Sequence, residues 1–338
     1  MAEYKKKEAR EWARAKMHGI ANVIIPSYSH DLQRLNERGI RHDVRREIEL
    51  GFWGTLLVSE TAITVEEYGD FVQWAADEAK GRLRLIHHAA FNTLEENIRA
   101  VQLAERNGAE LILLAYPSNF YPESGEEIYD YTRAFCDETN LGVILFPVPL
   151  WGFERLHPAG IPPAIIRKMV DDIPNIVCIK AEGGMPTIGG FVETWLTLSE
   201  KVVVTFPIES EALPLATLVP LQFIGTSNSE YYGPTVPRLF NMIRDGQKEK
   251  AMELYWQYHP ARMANEALFA STKGAHFLHR MAWKYQAWLQ GFNGGPLRHP
   301  TMRLHEPQMK ALRGGLVASK LDPTPLPDRD YWIGRHPA

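Results

Sequence analysis

The chain is poor in several features that mark particular classes of protein. It contains two cysteines, Cys136 and Cys178, which are too few for a disulfide framework, and Cys178 lies inside a predicted strand. No basic segment followed by an apolar run opens the sequence, and the most apolar stretch, 202–225, is interrupted by Glu209, Glu211 and prolines. These absences argue against a secretion signal and a membrane span. We therefore expect free thiols and a cytoplasmic protein.

An excess of charge of either sign is also lacking. Lys and Arg total 37 against 41 Asp and Glu, so the formal net charge is −4. The run Lys5-Lys6-Lys7 is the longest basic block and is typical of a solvated helix face. We therefore predict neither a nucleic-acid partner nor a membrane partner. A metal site is not predicted either, because the adjacent His87 and His88 would point to opposite faces of a strand and could not chelate one ion.

What the sequence does contain is a regular alternation of short apolar runs with segments of helical periodicity. The predicted strands are Ile20–Ile25, Thr55–Val58, Leu83–Ile86, Leu111–Leu114, Val143–Phe146, Ile176–Ile179, Val202–Thr205 and Leu221–Ile224. Eight such units favour a parallel (β/α)8 TIM barrel over an open doubly wound sheet, because no glycine-rich phosphate turn follows the first strand. The predicted organisation is an N-terminal helical extension over 1–18, the barrel over 19–245, a C-terminal helical region or bundle over 246–320 and an extended tail over 321–338.

Helix boundaries carry their own signals. Thr64 and Thr93 are each followed three residues later by a glutamate, the spacing of a capping box in which hydroxyl and carboxylate bind the free amides of the first turn. Gly108 follows the periodic segment after Thr93 and is a typical C-cap. These signals predict helices that begin just after each threonine.

Lys180 is the strongest candidate for chemistry. It ends the apolar run Ile176–Ile179, and the C-terminal ends of parallel strands form the active-site face of a barrel. Burial there disfavours the charged amine and leaves more of it free to attack a carbonyl, which makes Lys180 a candidate Schiff-base lysine. The alternative is a lysine that extends from the strand end into solvent or pairs with Glu182.

Several segments together resemble the dihydrodipicolinate synthase/N-acetylneuraminate lyase family of class I Schiff-base aldolases, across roughly residues 20–315. The segment 174–180 resembles the lysine strand of that family, 145–149 its "Tyr-Asn-Val-Pro" strand end, 92–110 its third unit, and 294–300 its C-terminal "Val-Arg-Pro-Pro" turn. The order and spacing of the segments, with the strand count, support the assignment more strongly than any one of them.

The resemblance implies a barrel with a C-terminal helical bundle, assembled as a homo-oligomer (dimer or tetramer), in which Lys180 forms an imine with a small-molecule oxo acid or related carbonyl compound. A protonated imine accepts the electrons released when a C–C or C–O bond β to it breaks, so one lysine can serve aldolases, dehydratases and hydratase-aldolases. It also implies that no metal or organic cofactor is needed.

The sequence departs from the family in the residues that would hold and protonate the substrate. Phe146 stands in place of the relay tyrosine and has no hydroxyl. The segment 56–60 replaces the carboxylate-binding "Gly-Thr-Thr-Gly-Glu" loop, so its hydroxyl pair is absent, although Ser59, Glu60 and Thr61 remain as polar candidates for substrate contacts. The loss of this pair leaves the substrate carboxylate without its family donors.

Two further positions differ in the same way. Trp151 lies near the place of an arginine of the synthase branch, and Asn119 lies near the place of a second relay tyrosine, with Tyr116 and Tyr121 close in sequence. Aromatic residues around the predicted barrel mouth favour a substrate with an apolar or aromatic portion; they are Phe146, Trp151, Phe120 and Tyr121.

Two interpretations remain open. In the first, imine chemistry is retained and proton transfer falls to Glu182, Tyr121 or one of His87 and His88, since Glu182 fits a proton carrier better than a promoter of amine attack. The predicted substrate contacts then include His88, Asn119, Phe146 and Trp151, with Ser227 and Asn228 after the eighth strand. A hydratase-aldolase acting on benzylidenepyruvates is the rival within this interpretation. In the second, the barrel has lost the chemistry and serves as a ligand-binding or structural protein.

Overall fold

Eight parallel strands form the centre of the protein in a computed structural model that describes residues 2–181, 187–273 and 278–338. The strands are β1 (Gly19–Ile24), β2 (Gly54–Leu57), β3 (Arg84–Ala89), β4 (Leu111–Leu114), β5 (Gly142–Leu145), β6 (Ile176–Lys180), β7 (Val203–Thr205) and β8 (Phe223–Ile224). Each overlaps one of the predicted runs, so the predicted barrel is confirmed. The last strand is shorter than predicted because only Phe223 and Ile224 pair with β1.

The barrel is nearly closed. Its strand order is β7-β6-β5-β4-β3-β2-β1-β8, and every neighbouring pair in this order is parallel. Within the described chain, no backbone pairing joins β7 to β8. The hydroxyl of Thr205 on β7 instead donates a hydrogen bond to the carbonyl of Phe223 on β8, at 2.8 Å. A side chain thus spans the gap that a backbone ladder would otherwise fill.

Helices surround the barrel and continue beyond it. They are α1 (Ala9–Lys16), α2 (Glu37–Leu50), α3 (Val65–Ala79), α4 (Leu94–Asn107), α5 (Gly125–Asp137), α6 (Pro163–Asp172), α7 (Thr187–Leu198), α8 (Glu209–Leu215), α9 (Thr235–Arg244), α10 (Lys248–Gln257), α11 (His259–Lys273), α12 (Arg280–Leu289) and α13 (Glu306–Ala318). No described helix has both the length and the apolar character needed to cross a membrane.

The predicted helix starts after Thr64 and Thr93 are confirmed. Thr64 forms a complete capping box with Glu67. The Thr93 hydroxyl accepts from the amide of Glu96, but the Glu96 carboxylate accepts instead from the amide of Asn92, at 3.0 Å. The helix that starts at Leu94 ends at Asn107 and is capped by Gly108, whose φ of 108° is the left-handed conformation that glycine adopts at little cost.

The C-terminal helices are tied to the barrel by buried polar contacts. Arg262 of α11 makes an ion pair with Glu209 at the start of α8, with the Nε of Arg262 2.9 Å from Oε1 of Glu209. Lys284 of α12 donates to the carbonyl of Pro26 just after β1, at 2.6 Å. Both cysteines are buried and free, as expected from the sequence.

Candidate functional site

Lys180 ends β6, and its amine lies inside the barrel. Its side chain is only 4% exposed. The Nζ donates a hydrogen bond to the carbonyl of Thr226, just after β8, at 2.8 Å. The same nitrogen lies 3.5 Å from the centre of the Phe146 ring, which follows β5. Contacts to strand ends on both sides of β6 place the amine at the inner, C-terminal rim of the barrel.

His88 faces this interior from β3. The charge of Lys180 acts on it, and burial with this neighbouring charge lowers the pKa of His88 to about 3, so the ring is neutral at physiological pH. The amide of Ser59 donates to Nδ1 of His88 at 3.4 Å, which leaves the proton on Nε2. The Ser59 hydroxyl donates to the His88 carbonyl at 3.0 Å. The structure therefore brings Ser59, His88 and Lys180 to the same side of the barrel interior.

His87 points the other way, as the alternation of a strand predicts. Its ring packs edge-on against Tyr68 of α3, with ring centres 5.2 Å apart. Both ring nitrogens are buried and lack a hydrogen-bond partner among the described residues. Burial lowers the pKa of His87 to about 3. His87 thus belongs to the layer between barrel and helices.

Phe146 and Trp151 form an aromatic wall beside the amine. The two rings pack edge to face with centres 5.8 Å apart, and the Trp151 indole N–H donates to the carbonyl of Phe146 at 2.7 Å. Tyr116 extends this wall toward Phe120, but its hydroxyl is hydrogen-bonded to Thr132 at 2.7 Å. Tyr116 is therefore engaged with α5 rather than with Lys180.

Tyr121 and Asn119 lie at the surface of the chain. The ring of Tyr121 is 73% exposed and is covered on one face by the guanidinium of Arg155, 3.6 Å from the ring centre. Asn119 is also exposed. Within the single chain, these two side chains are at the surface whereas the amine is buried.

Glu60 and Thr61 contact protein groups at the end of β2. Glu60 forms an ion pair with Arg280 of α12, which sequence reasoning did not single out. The hydroxyl of Tyr28 donates to the carbonyl of Thr61 at 2.9 Å. No local pattern indicates Arg280, because its pairing with Glu60 links distant parts of the chain.

The turn after β8 contributes a residue that sequence reasoning missed. Ser227 and Asn228 were predicted as contacts, and Asn228 donates to Glu230 at 2.7 Å. The group that contacts Lys180 is the preceding residue, Thr226. The position of Thr226 directly after a predicted strand is the feature of the sequence that could have identified it.

Two further predictions concern the proton carrier and the need for a metal or cofactor. Glu182, the predicted proton carrier, lies outside the described residues. In the part of the chain that the structure describes, no group of three or more His, Cys, Asp or Glu side chains is arranged to hold a metal ion. The expectation of a cofactor-free enzyme stays a prediction.

The fold and this site define a parallel barrel with a buried lysine at its inner rim and a C-terminal set of helices. A family model described as the dihydrodipicolinate synthetase family matches residues 16–314, and the chain belongs to that family. This confirms the resemblance seen in the sequence.

Individual relatives agree with this assignment at low identity. A 4-hydroxy-tetrahydrodipicolinate synthase from Methanopyrus kandleri is 22% identical over 303 residues, covering 88% of this chain and 94% of its own. The solved dihydrodipicolinate synthase of Aquifex aeolicus has a TM-score of 0.76 at 19% identity and covers 91% of this chain and 99% of its own. The N-acetylneuraminate lyase of Fusobacterium nucleatum has a TM-score of 0.72 at 18% identity, covering 89% and 98%. The chain is a divergent member.

Proposed function

We propose that the protein is a class I lyase in which Lys180 forms a Schiff base with a 2-oxo acid or related carbonyl compound. The observation that carries the proposal is the position of the amine, buried at the inner rim of the barrel between Phe146 and Thr226. An amine in that position is shielded from bulk water and from competing surface charges. Membership of a family that includes synthases and a lyase supports the same chemistry.

The reaction would begin with attack of the neutral amine on the carbonyl carbon. Loss of water from the carbinolamine gives a protonated imine, and the imine nitrogen accepts the electron pair when a C–C or C–O bond β to it breaks. The resulting enamine is protonated and hydrolysed, which releases the amine. Phe146 cannot carry protons in these steps. We assign that role to Glu182, with His88 as the alternative, because Tyr121 lies at the surface of the chain.

We propose a substrate with an apolar or aromatic portion. The face of Phe146 and the edge of Trp151 form the wall next to the amine, and no charged side chain replaces the family arginine at Trp151. Such a wall favours a hydrocarbon surface over a polyhydroxylated chain. A cytoplasmic homo-oligomer remains part of the proposal, and light scattering of the purified protein tests the oligomer.

Reductive trapping tests the function. The protein is incubated with pyruvate, phenylpyruvate and other 2-oxo acids in the presence of borohydride, and intact mass and peptide mapping locate the adduct. We expect one adduct per chain, on Lys180, that is absent from Lys180→Met. The matched control is Lys201→Met, which removes an exposed lysine paired with Asp171 and should leave trapping unchanged. No adduct across the panel would instead indicate a ligand-binding barrel.

A further inference from the structure

The Thr226 hydroxyl is an unused buried hydrogen-bonding group beside the candidate catalytic amine. Thr226 is 3% exposed, and its Oγ1 has no hydrogen-bond partner within the described parts of the chain. The carbonyl of the same residue accepts the hydrogen bond from Lys180 at 2.8 Å. Because both oxygens belong to one residue, the hydroxyl lies within about 7 Å of the amine.

Two other described hydroxyls on this side of the barrel, those of Thr205 and Ser59, are already engaged. Thr205 pairs directly with Lys180 in the sheet, and its hydroxyl donates to the carbonyl of Phe223. The hydroxyl of Ser59 donates to the carbonyl of His88. A buried hydroxyl without a partner costs free energy, and such groups in native proteins usually meet water or a ligand. Among the residues that the structure describes near the amine, Thr226 thus carries a buried hydroxyl that is available for a substrate.

The turn that carries Thr226 is held firmly from β1. The side-chain oxygen of Asn22 accepts hydrogen bonds from the amides of Ser229 and Glu230, at 2.8 and 3.2 Å. The side-chain nitrogen Nδ2 of Asn22 donates to Oε1 of Glu47 on α2 at 2.6 Å. All of these groups are buried, so the turn is fixed before any ligand arrives. Such preorganisation is what a precise substrate contact requires.

We propose that the Thr226 hydroxyl donates a hydrogen bond to the carboxylate of a 2-oxo acid bound at Lys180, an inference that rests on the proposed function. In a 2-oxo acid the carboxylate is attached to the carbon that the amine attacks. A carboxylate bound there is therefore close to Thr226, whose carbonyl already accepts a hydrogen bond from Lys180. The segment at the end of β2 has Leu57 and Val58 at the positions of the family's hydroxyl pair. Thr226 supplies a donor from the opposite side of β1.

The test compares two carbonyl probes in four proteins. Borohydride trapping rates are measured with pyruvate and with acetone, which lacks the carboxylate, for the wild type, Thr226→Val, Thr226→Ser and Thr55→Val. Thr226→Val keeps the shape and the backbone carbonyl but removes the donor. Thr55→Val is the matched control. Thr55 is also buried with an unpartnered hydroxyl, but it lies on β2, four residues before Ser59, and not in the turn that carries Thr226.

We expect Thr226→Val to trap pyruvate about ten- to a hundredfold more slowly, the usual effect of losing a hydrogen bond to a charged group. Trapping of acetone should stay within about threefold of the wild type, Thr226→Ser should recover most of the pyruvate rate, and Thr55→Val should change neither. An equal fall for both probes, or no fall for pyruvate, overturns the role of the hydroxyl while leaving the imine intact. A wild type that traps neither probe nor any other 2-oxo acid overturns the proposed function itself.

Discussion

The ion pair between Arg262 and Glu209 should be among the strongest single ties between the C-terminal helices and the barrel. Their side chains are only 6% and 9% exposed. Arg262→Met would leave the Glu209 carboxylate buried without its counter-charge, although the Tyr258 hydroxyl still donates to it at 2.7 Å. Breaking a buried pair in this way typically costs about 3–5 kcal/mol.

The expected change in melting temperature follows from the chain length. An unfolding entropy of about 2.1 cal/mol/K per residue over 338 residues gives roughly 0.7 kcal/mol/K. A loss of 3–5 kcal/mol therefore lowers the melting temperature by about 4–7 °C. Circular dichroism melts at pH 7.5 measure this shift directly.

Two further variants make the measurement decisive. Arg133→Met breaks an exposed pair with Asp137, in which the side chains are 46% and 55% exposed, and should lower the melting temperature by no more than about 1 °C. The double variant Glu209→Leu/Arg262→Met replaces both charges by apolar groups and should recover most of the loss. An Arg262→Met melt within 1 °C of the wild type, or a double variant no more stable than the single one, would refute the reasoning.

Four other variants test the candidate site and the barrel around it. Phe146→Tyr should change turnover by less than about tenfold, because the proposed proton carrier lies elsewhere, and a rise of several orders of magnitude would show that a tyrosine is required there. Asn22→Ala should slow trapping of both pyruvate and acetone by about tenfold, because it releases the turn whose Thr226 carbonyl positions the Lys180 amine. Unchanged rates would show that Asn22 does not hold this turn. Glu182→Gln should slow turnover but leave trapping by borohydride intact, and equal turnover would remove Glu182 from the proposal. His87→Leu should stabilise the protein relative to the wild type by about 1.4 kcal/mol more for each pH unit between 6.5 and about 3. The pKa of His87 is about 3 in the folded protein, so the wild type loses stability as the pH falls and the unfolded histidine takes up a proton. If the free energies of unfolding of wild type and variant differ by the same amount at every pH, His87 makes no such contribution.

The strand count and the place of Lys180 could be predicted because both depend on local pattern. Apolar runs alternating with capped helices specify the units of a barrel, and a polar residue at the end of a buried strand must face its rim. The predicted start of β8 at Leu221 was two residues early, since pairing with Gly19 begins only at Phe223. The bounds of so short a strand depend on which residues pair with the neighbouring strand and not on its own apolar pattern.

The contacts of the site could not be predicted in the same way. Thr226 meets Lys180 across 46 residues of sequence, and Asn22 meets Ser229 across 207. No spacing or propensity records such pairings, because they depend on how the ring of strands closes. The same is true of Arg280, which reaches Glu60 from the C-terminal helices. The family resemblance indicated which side chains had been lost but not which ones occupy their places.

Within the described residues, β7 and β8 are joined by the side-chain hydrogen bond from Thr205 and by no backbone ladder, which makes this line the weakest part of the barrel wall. Amide hydrogens on either side of it should exchange with deuterium sooner than those of the fully laddered β2 to β5, since fewer bonds must open. Lys180, at the end of β6, and Thr226, just after β8, lie on opposite sides of this line. Local opening between β7 and β8 would change the distance between the Lys180 amine and the Thr226 carbonyl, so the two sides of the candidate site should move relative to each other mainly along this line.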